Sequence, residues 1–371
     1  MKNNKKVSMR VFYIFVKFFV FTFLTLLFII VFIPSLLSLV KGQDMDIVDD
    51  AKMRLEAVNI PEEENLFYDL NYDIEKLQSL INKENISKDL ASSYLESDSW
   101  DEEVVGQILL DNEEVLEDWT LAAAKGKFQL PYTNGQAKVS ADMPVTPFNI
   151  YREAGYLSGI RAIWLAKNGK YQEALDEALK NIIIGSAISK SQVTLIGYMS
   201  GVSIKDNGLD VMQKVISFIP QDFEIPLKYQ LELTEYQAEK NSSPFIIEYL
   251  VWKQGLDRSL FLSNPYYLTD LERLLVKNRF YYKENLTASY YFDFFNKLVI
   301  ESQKDCGDLS YVKWPVISLE RNNLLKMYFT ENLIGKYFTT FPEEAFNNAL
   351  EKKCLTEDKL QEIILLINNK K

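Results

Sequence analysis

SGIRAIWLAKNGKYQEALDEALKNI, residues 158–182, contains two runs of helix-favouring sequence on either side of Asn168-Gly169. Glycine readily adopts the left-handed conformation that commonly follows a helix, so we expect Gly169 to end the first helix. Ala174 and Ala178 lie four residues apart on one face of the second helix, where small side chains allow a neighbouring helix to approach closely. The stretch therefore predicts two antiparallel helices joined by a short turn.

The same helical character extends over most of the remaining sequence. Apolar residues recur at helical spacing through 44–125 and again from Ile150 to the end, with short breaks such as Asn207-Gly208. Almost no stretch shows the sustained alternation of apolar and polar residues that is typical of a half-buried strand. The sequence therefore predicts an all-α protein, built as a bundle or solenoid of antiparallel helical hairpins.

One stretch, 126–148, interrupts the helical patterns. It contains Gly126, Pro131, the turn signal Asn134-Gly135 and two further prolines, without any apolar period. Because long loops in compact chains are often functional or connect domains, we expect a boundary there. The predicted organisation is a basic cytoplasmic tail (1–10), a transmembrane segment (11–40), an N-terminal helical region (41–125), an extended loop (126–148) and a C-terminal helical domain (149–371).

The hairpin at 158–182 resembles a tetratricopeptide (TPR) repeat, which is a helix-turn-helix unit. The resemblance is best at the turn and in the second helix, at Gly169, Tyr171, Ala174, Leu175 and Ala178. In such a repeat the aromatic residue after the glycine covers the junction, and the alanines allow close helix packing. No second copy is apparent at the family's spacing of about 34 residues.

Three residues depart from the TPR pattern. Ser158 stands where the repeat has a large aromatic residue, Arg161 where it has leucine, and Asn181 where it has alanine. The resemblance therefore implies helical-hairpin packing rather than a full TPR array. It also implies binding of a partner rather than catalysis, since TPR-like hairpins usually serve as binding surfaces.

Residues 11–40 form one hydrophobic segment, in which 24 of the 30 residues are apolar. About 20 apolar residues span a bilayer, whereas the apolar core of a cleaved signal peptide has about 7–15. We therefore expect an uncleaved transmembrane signal anchor in the cell membrane. The positive-inside rule places the N-terminus in the cytoplasm and the large domain outside, because basic residues precede or enter the segment at Lys2, Lys5, Lys6, Arg10 and Lys17.

The rest of the chain is acidic, with 36 basic and 52 acidic residues. No basic stripe is apparent, so we expect no nucleic-acid partner and expect repulsion from an anionic lipid surface. Asp44, Asp46 and Asp49 are spaced like the start of a calcium-binding EF-hand loop. That loop requires Gly and Glu at its sixth and twelfth positions, which here are Asp49 and Leu55. We expect a solvated, charge-repelled stalk instead.

The chain contains no histidine, which excludes His-based acid–base pairs, Ser-His-Asp and Cys-His nucleophiles, and His-ligated zinc. Ser310 and Lys313 have the spacing of a serine–lysine dyad, but the companion motifs of penicillin-recognising enzymes are absent. No catalytic, cofactor-binding or metal-binding residue is assigned, and no cofactor is expected. The alternative is a cell-envelope hydrolase that uses carboxylates or a hydroxyl nucleophile, since 52 acidic residues offer many carboxylate pairs.

Cys306 and Cys354 are the two cysteines of the chain. They are too few for a cysteine-only zinc site. If the domain faces an oxidising compartment, we expect a disulfide between them. The alternative is a pair of buried free thiols.

Aromatic residues are concentrated at 280–282 and 290–295. One interpretation is a stacking surface for a glycan or a peptide. Four residues instead follow the spacing of one buried helix face, namely Tyr291, Phe294, Phe295 and Leu298. We therefore expect core packing, with Tyr281 and Tyr290 as exposed remnants.

These features predict an interaction or scaffold module outside the cytoplasmic membrane. Its partners are the lipid bilayer around 11–40 and a protein or peptide, and its expected working surface is a groove between helical hairpins near 126–148. If the protein is a hydrolase, we expect a deep pocket with convergent polar groups and carboxylates whose pKa values are shifted. If it is a scaffold, we expect a broad groove or an exposed apolar patch.

Overall fold

The computed structural model of the chain describes residues 2–71, 101–133, 146–237, 240–256, 275–314, 330–338 and 343–370. Within these ranges the predicted all-α fold is confirmed, and there is no β-strand. An isolated parallel bridge joins Asn65 to Lys127. The helical patterns predicted between 72 and 100, and residues 134–145 of the predicted loop, lie outside the described residues.

The chain forms two compact units. Unit 1 comprises residues 1–50, 253–293 and 314–341, and unit 2 comprises residues 51–252, 294–313 and 342–371. The boundary at 126–148 stays a prediction. The described α-helices are, in chain order, α1 (Lys2–Leu27), α2 (Ile33–Lys41), α3 (Leu66–Asn71), α4 (Glu102–Asp111), α5 (Glu113–Lys125), α6 (Phe148–Lys167), α7 (Tyr171–Lys190), α8 (Leu195–Phe218), α9 (Leu227–Glu235), α10 (Ser243–Gly255), α11 (Glu284–Ser302), α12 (Leu333–Phe338) and α13 (Glu343–Asn369).

The hydrophobic segment is helical. A π-helical turn, Phe28–Phe32, separates α1 from α2 just before Pro34, whose nitrogen cannot donate to the helical ladder. Among the residues whose side chains the structure describes, no helix is both long and apolar enough to cross a membrane. Several positions of the predicted transmembrane segment lie outside that set, namely 11, 12, 14, 27, 30, 31 and 34.

The segment that follows α2 is attached to the body of unit 1. Asp44 accepts hydrogen bonds from the backbone nitrogens of Asn285 (2.9 Å) and Leu286 (3.1 Å), in the first turn of α11. Its carboxylate therefore satisfies two donors that a helix N-terminus leaves unpaired. Asp50 pairs with Lys253 at 2.5 Å. The prediction of a solvated, charge-repelled stalk is therefore wrong for Asp44, whereas Asp46 and Asp49 are exposed.

The core of unit 2 is built on α6, α7 and α8, each of which packs against the other two. Gly169 ends α6 with a φ of +77°, and the nitrogen of Lys170 closes the turn by donating to the oxygen of Leu165 at 2.9 Å. Ala174 and Ala178 are completely buried on α7. The two helices and the turn predicted within 158–182 are therefore confirmed.

Helix α8 runs from Leu195 to Phe218 without interruption, so the predicted break at Asn207-Gly208 is wrong. The glycine serves close packing rather than a turn, since a Cβ atom there would lie 2.8 Å from the Cβ of Asn181 on α7. Gly185 and Gly201 serve the same purpose at another point of this helix pair. The absence of side chains lets the two backbones approach closely.

The three residues that depart from the TPR pattern form buried polar contacts. Ser158 Oγ donates to one carboxylate oxygen of Glu177 at 2.7 Å, and Arg161 donates to the other at 2.5 Å. Asn181 Oδ1 accepts a hydrogen bond from Trp119 Nε1, on α5, at 2.8 Å. Each departure therefore replaces an apolar contact of the repeat with a hydrogen bond to a specific partner in this fold.

Core packing is confirmed for the predicted apolar face of α11, whose members are at most 1% exposed: Tyr291, Phe294, Phe295 and Leu298. Phe346 of α13 packs edge-on against two of these rings, with centroid distances of 5.5 and 5.3 Å. Tyr281 is only 2% exposed, so its assignment as an exposed remnant is wrong. Aromatic edge-to-face pairs stabilise such a core beyond simple burial.

Candidate functional site

Unit 2 contains an open cleft of about 700 Å³. Its walls come from four stretches of chain: 52–60, 126–129, 187–192 and 240–246. Val299 and Gln303 also line it. Residues 126–129 belong to the stretch near which the sequence predicts a working surface. The cleft is therefore a candidate binding surface.

Two glutamine side chains hold residues 56–60 of the segment 52–60 in place. Gln129 is 5% exposed, and its Oε1 accepts from the nitrogen of Ile60 at 2.7 Å while its Nε2 donates to the oxygen of Val58 at 2.6 Å. Gln192 Nε2 donates to the oxygen of Glu56 at 2.6 Å. Because an amide both donates and accepts, Gln129 secures two points of the segment at once. This wall is therefore positioned by long-range contacts.

A third amide, Asn241, orders the chain before α10. Its Nδ2 donates to the oxygens of Ser189 (2.8 Å) and Ser191 (3.3 Å), and its Oδ1 accepts from the nitrogen of Ser243 at 2.9 Å. These bonds join the end of α7 to the start of α10. The cleft is therefore lined by chain that is already ordered, which reduces the entropy lost when a ligand binds.

The charge in the cleft is opposite to that of the protein, which carries a net charge of −11. One acidic side chain lines the cleft, Glu56. The basic side chains that line it are Lys52, Arg54, Lys127, Lys190 and Lys240. A concave surface lined by one sign of charge concentrates ligands of the opposite sign.

Some of these cations already have partners. Lys127 pairs with Glu64 at 2.5 Å and Lys240 pairs with Asp305 at 3.0 Å, and at least half of each side chain in both pairs is exposed. Exposed pairs of this kind contribute little, roughly 0–1 kcal/mol, so a ligand can displace them. Lys190 donates to a backbone carbonyl at 3.2 Å.

Lys52 and Arg54 differ from the other three. Both side chains are exposed, and neither forms an ion pair or a hydrogen bond with any residue that the structure describes. They flank Met53, which is 2% exposed, and they precede the residues 56–60 that Gln129 and Gln192 hold in place. Two unpaired cations on an ordered wall are available to an anionic ligand.

No pattern in the sequence indicates this basic surface. The cations are drawn from positions 52 to 240, and they do not form a periodic stripe on one helix. The absence of a basic stripe in the sequence therefore does not preclude a basic cleft in the fold. No local pattern could have revealed it, because the residues meet only through folding.

A smaller cavity is the nearest approach to a catalytic arrangement among the described residues. It has about 20 Å³, room for about one water molecule, and is lined by Ser186, Lys205 and Glu357 among others. Ser186 Oγ has no hydrogen-bond partner within the described chain. Burial lowers the pKa of Lys205, but the lysine pairs with Glu357 at 2.9 Å. A paired lysine is a poor general base, and the cavity is too small for a substrate.

The other chemical candidates lie apart from the cleft. Ser310 and Lys313 are both exposed, which leaves the proposed dyad without a buried environment. Burial raises the pKa of the carboxyls of Glu153, Glu232 and Glu248, but none of the three lines the cleft. Within the described ranges, no group of histidine, cysteine or acidic residues is arranged to hold a metal ion.

Cys306 and Cys354 form a disulfide, with their Cα atoms 5.5 Å apart. The bond joins the chain just after α11 to the middle of α13, both within unit 2. It closes a loop with a sequence separation of 48. A cross-link over a loop of this length restricts the unfolded chain substantially.

Comparison of the chain with protein-family models, with curated proteins and with solved structures gave no match.

Proposed function

We propose that this protein is a membrane-anchored interaction module, whose unit 2 presents the basic cleft to a partner outside the cytoplasmic membrane. The observation that carries the proposal is the pair of unpaired cations, Lys52 and Arg54, on an ordered wall of an open cleft. The resemblance of 158–182 to a TPR-like hairpin also favours binding over catalysis, because such hairpins usually serve as binding surfaces.

The surface of α1 supports the membrane anchor. Several of its large apolar side chains are more than half exposed and point in different directions around the helix, namely Phe18, Phe19, Phe21, Phe23 and Leu24. A helix that is apolar on all sides is stable in a lipid bilayer or in the core of a large protein. Burying this surface in lipid would account for a helix that water does not favour.

The polar side chains in the apolar part of α1, after Arg10, are consistent with a lipid environment. Thr22 and Thr25 donate hydrogen bonds to the backbone oxygens four residues earlier, each at 2.8 Å. Hydroxyls in a bilayer must be satisfied within the helix in this way, because no water is available. Lys17 lies over the ring of Tyr13, at 4.7 Å from the centroid, where its long side chain can extend towards the membrane surface.

The oxidation state of the cysteines in cells tests the proposed orientation. Disulfides persist outside the cytoplasm and are rare within it. In intact cells that express the full chain, we expect Cys306 and Cys354 to resist alkylation unless a reductant is added first, as measured by mass spectrometry after acid quenching. The Cys306→Ser variant is the control, since its single thiol must react without reduction. Ready alkylation of both native cysteines would place unit 2 in the cytoplasm.

Photo-crosslinking tests the cleft as the working surface. A photoreactive phenylalanine analogue at Ser242, which lines the cleft, should give a discrete adduct in intact cells. The same analogue at Leu231, which is 58% exposed on α9 outside the cleft, is the matched control and should give none. The adduct should disappear when Lys52→Glu and Arg54→Glu are combined. Equal adducts at both positions, or none at Ser242, would contradict the proposed working surface.

A further inference from the structure

We infer that the cleft of unit 2 recognises an acidic peptide segment, in which carboxylate side chains alternate with aliphatic ones. The inference rests on the proposed function, since it names the class of partner that the cleft accepts. It follows from three features of the lining. Cationic side chains remain available to a ligand, aliphatic side chains lie beside them, and the described lining has no exposed aromatic ring.

The amides of the cleft are already committed within the protein. Gln129, Gln192 and Asn241 each use their side chains to hold the walls together. Ser191 Oγ donates to a backbone carbonyl at 2.7 Å. Ser242 and Ser243 also line the cleft, and the charged donors that remain for a ligand are the ammonium and guanidinium groups. The ligand groups that suit these charged donors are anions.

Apolar surface lies on the same wall as the unpaired cations. Leu55, Val58 and Ile60 are partly or largely exposed and follow Lys52 and Arg54 along the segment 52–60. Ile246 and Val299 also line the cleft. A ligand that carried only charge would leave these aliphatic groups in water or bury them against polar atoms. A peptide with aliphatic side chains among its carboxylates matches both kinds of surface.

The described lining offers no aromatic ring face. Its one aromatic residue, Phe128, is 3% exposed and is packed into the core. Single-stranded nucleic acids are typically bound by stacking bases on exposed rings, and that contribution is absent from these walls. The volume, about 700 Å³, lies within the range of roughly 300–1,000 Å³ that encloses small ligands, so a short peptide stretch fits.

Fluorescence anisotropy with the full chain in neutral detergent micelles tests this inference. The probe is the fluorescein-labelled peptide Asp-Leu-Glu-Asp-Leu-Glu, compared with its uncharged counterpart Asn-Leu-Gln-Asn-Leu-Gln and with Asp-Ser-Glu-Asp-Ser-Glu. We expect the acidic aliphatic peptide to bind at least about tenfold more tightly than the uncharged one, because several ion pairs act together. We expect the serine peptide to bind several-fold more weakly than the leucine peptide.

Charge-reversal variants show whether the cleft is responsible. Combining Lys52→Glu with Arg54→Glu should weaken binding of the acidic peptide about tenfold or more. The matched control combines Lys167→Glu with Lys170→Glu, which changes the net charge equally at exposed positions outside the cleft. It should stay within about twofold of the parent chain. The basic N-terminal tail is present in every variant, so a difference between the two pairs reports the cleft alone.

Failure of the acidic-peptide assignment and failure of the proposed function give different experimental results. Equal binding of the charged and uncharged peptides, or equal loss in both variant pairs, would overturn the acidic-peptide assignment. Labelled polyphosphate that bound more tightly than the peptide, and lost binding in the Lys52 and Arg54 variant, would replace the peptide with a phosphate polymer. The proposed function fails separately, when the crosslinking position in the cleft captures nothing. The neutral pair Lys52→Gln and Arg54→Gln repeats the test with a smaller electrostatic change.

Discussion

Replacing Gly185 by valine is expected to lower the free energy of unfolding of unit 2 by about 4 kcal/mol or more. A Cβ atom at this position would lie 2.3 Å from the backbone nitrogen of Lys205 and 2.6 Å from the oxygen of Gly201, both on α8. These neighbours are backbone atoms, so they cannot move aside as a flexible side chain would. The two helices would have to separate, which would open the core that they share.

Urea-induced unfolding of the full chain in detergent, followed by circular dichroism, measures this effect. The control is Gly106→Ala on α4, where an added Cβ would meet no atom within 4 Å. That change should stabilise the protein by about 0.5–1 kcal/mol, because alanine favours a helix interior more than glycine does. If Gly185→Val unfolded at the same urea concentration as the parent chain, the close approach of α7 and α8 would be refuted.

Replacing Glu177 by alanine is expected to cost about 3 kcal/mol or more, for an electrostatic reason. Glu177 is 3% exposed and accepts hydrogen bonds from Ser158, Arg161 and Lys180, at 2.7, 2.5 and 2.7 Å. The side chains of Arg161 and Lys180 are only 22% and 19% exposed. Without the carboxylate, two largely buried cations would face each other without their shared anion.

Glu173→Ala, four residues earlier on α7, is the matched control. The Glu173 side chain is 61% exposed and pairs with Lys170 at 3.4 Å, so its loss should change stability by less than about 0.5 kcal/mol. Glu177→Gln should fall between the two, since it keeps the shape and one acceptor but loses the charge. The same urea titration measures all three variants. Equal unfolding midpoints for Glu177→Ala and Glu173→Ala would show that the buried network does not stabilise unit 2.

The TPR resemblance shows how far sequence reasoning reached in the core. Gly169 and the small alanines of α7 act locally, and they could be interpreted from a few neighbouring residues. The departures at Ser158, Arg161 and Asn181 could only be noted as departures. Their partners in the fold include Glu177 and Trp119, and nothing near Asn181 in the sequence points to a tryptophan on α5.

Gly208, in the middle of α8, shows a local pattern that the fold overrides. Asn207-Gly208 has the composition of a turn and predicts a break in the helix. Tertiary packing overrides the local preference, because Gly208 removes a side chain at the point where α8 passes Asn181 of α7. The cost of glycine in a helix, about 1 kcal/mol, is smaller than the benefit of packing two helices closely.

The cysteines and the acidic segment after α2 also depend on contacts that local sequence patterns do not reveal. The sequence alone leaves open whether Cys306 and Cys354 pair, since pairing depends on whether folding brings α11 and α13 together. The acidic run predicts a solvated stalk at Asp44, whereas the carboxylate caps α11, about 240 residues later in the chain. Both outcomes depend on contacts between residues that are distant in sequence.

What the sequence determined by itself is therefore local: the helical class, the turn at Gly169, the buried face of α11 and the hydrophobic character of residues 11–40. These features follow from apolar periodicity and from backbone preference, which act over a few residues. Only the tertiary structure decided the polar core around Glu177, the cysteine pairing and the basic cleft. The cleft exists because folding brings together cations from Lys52 to Lys240, in a chain whose overall charge is negative.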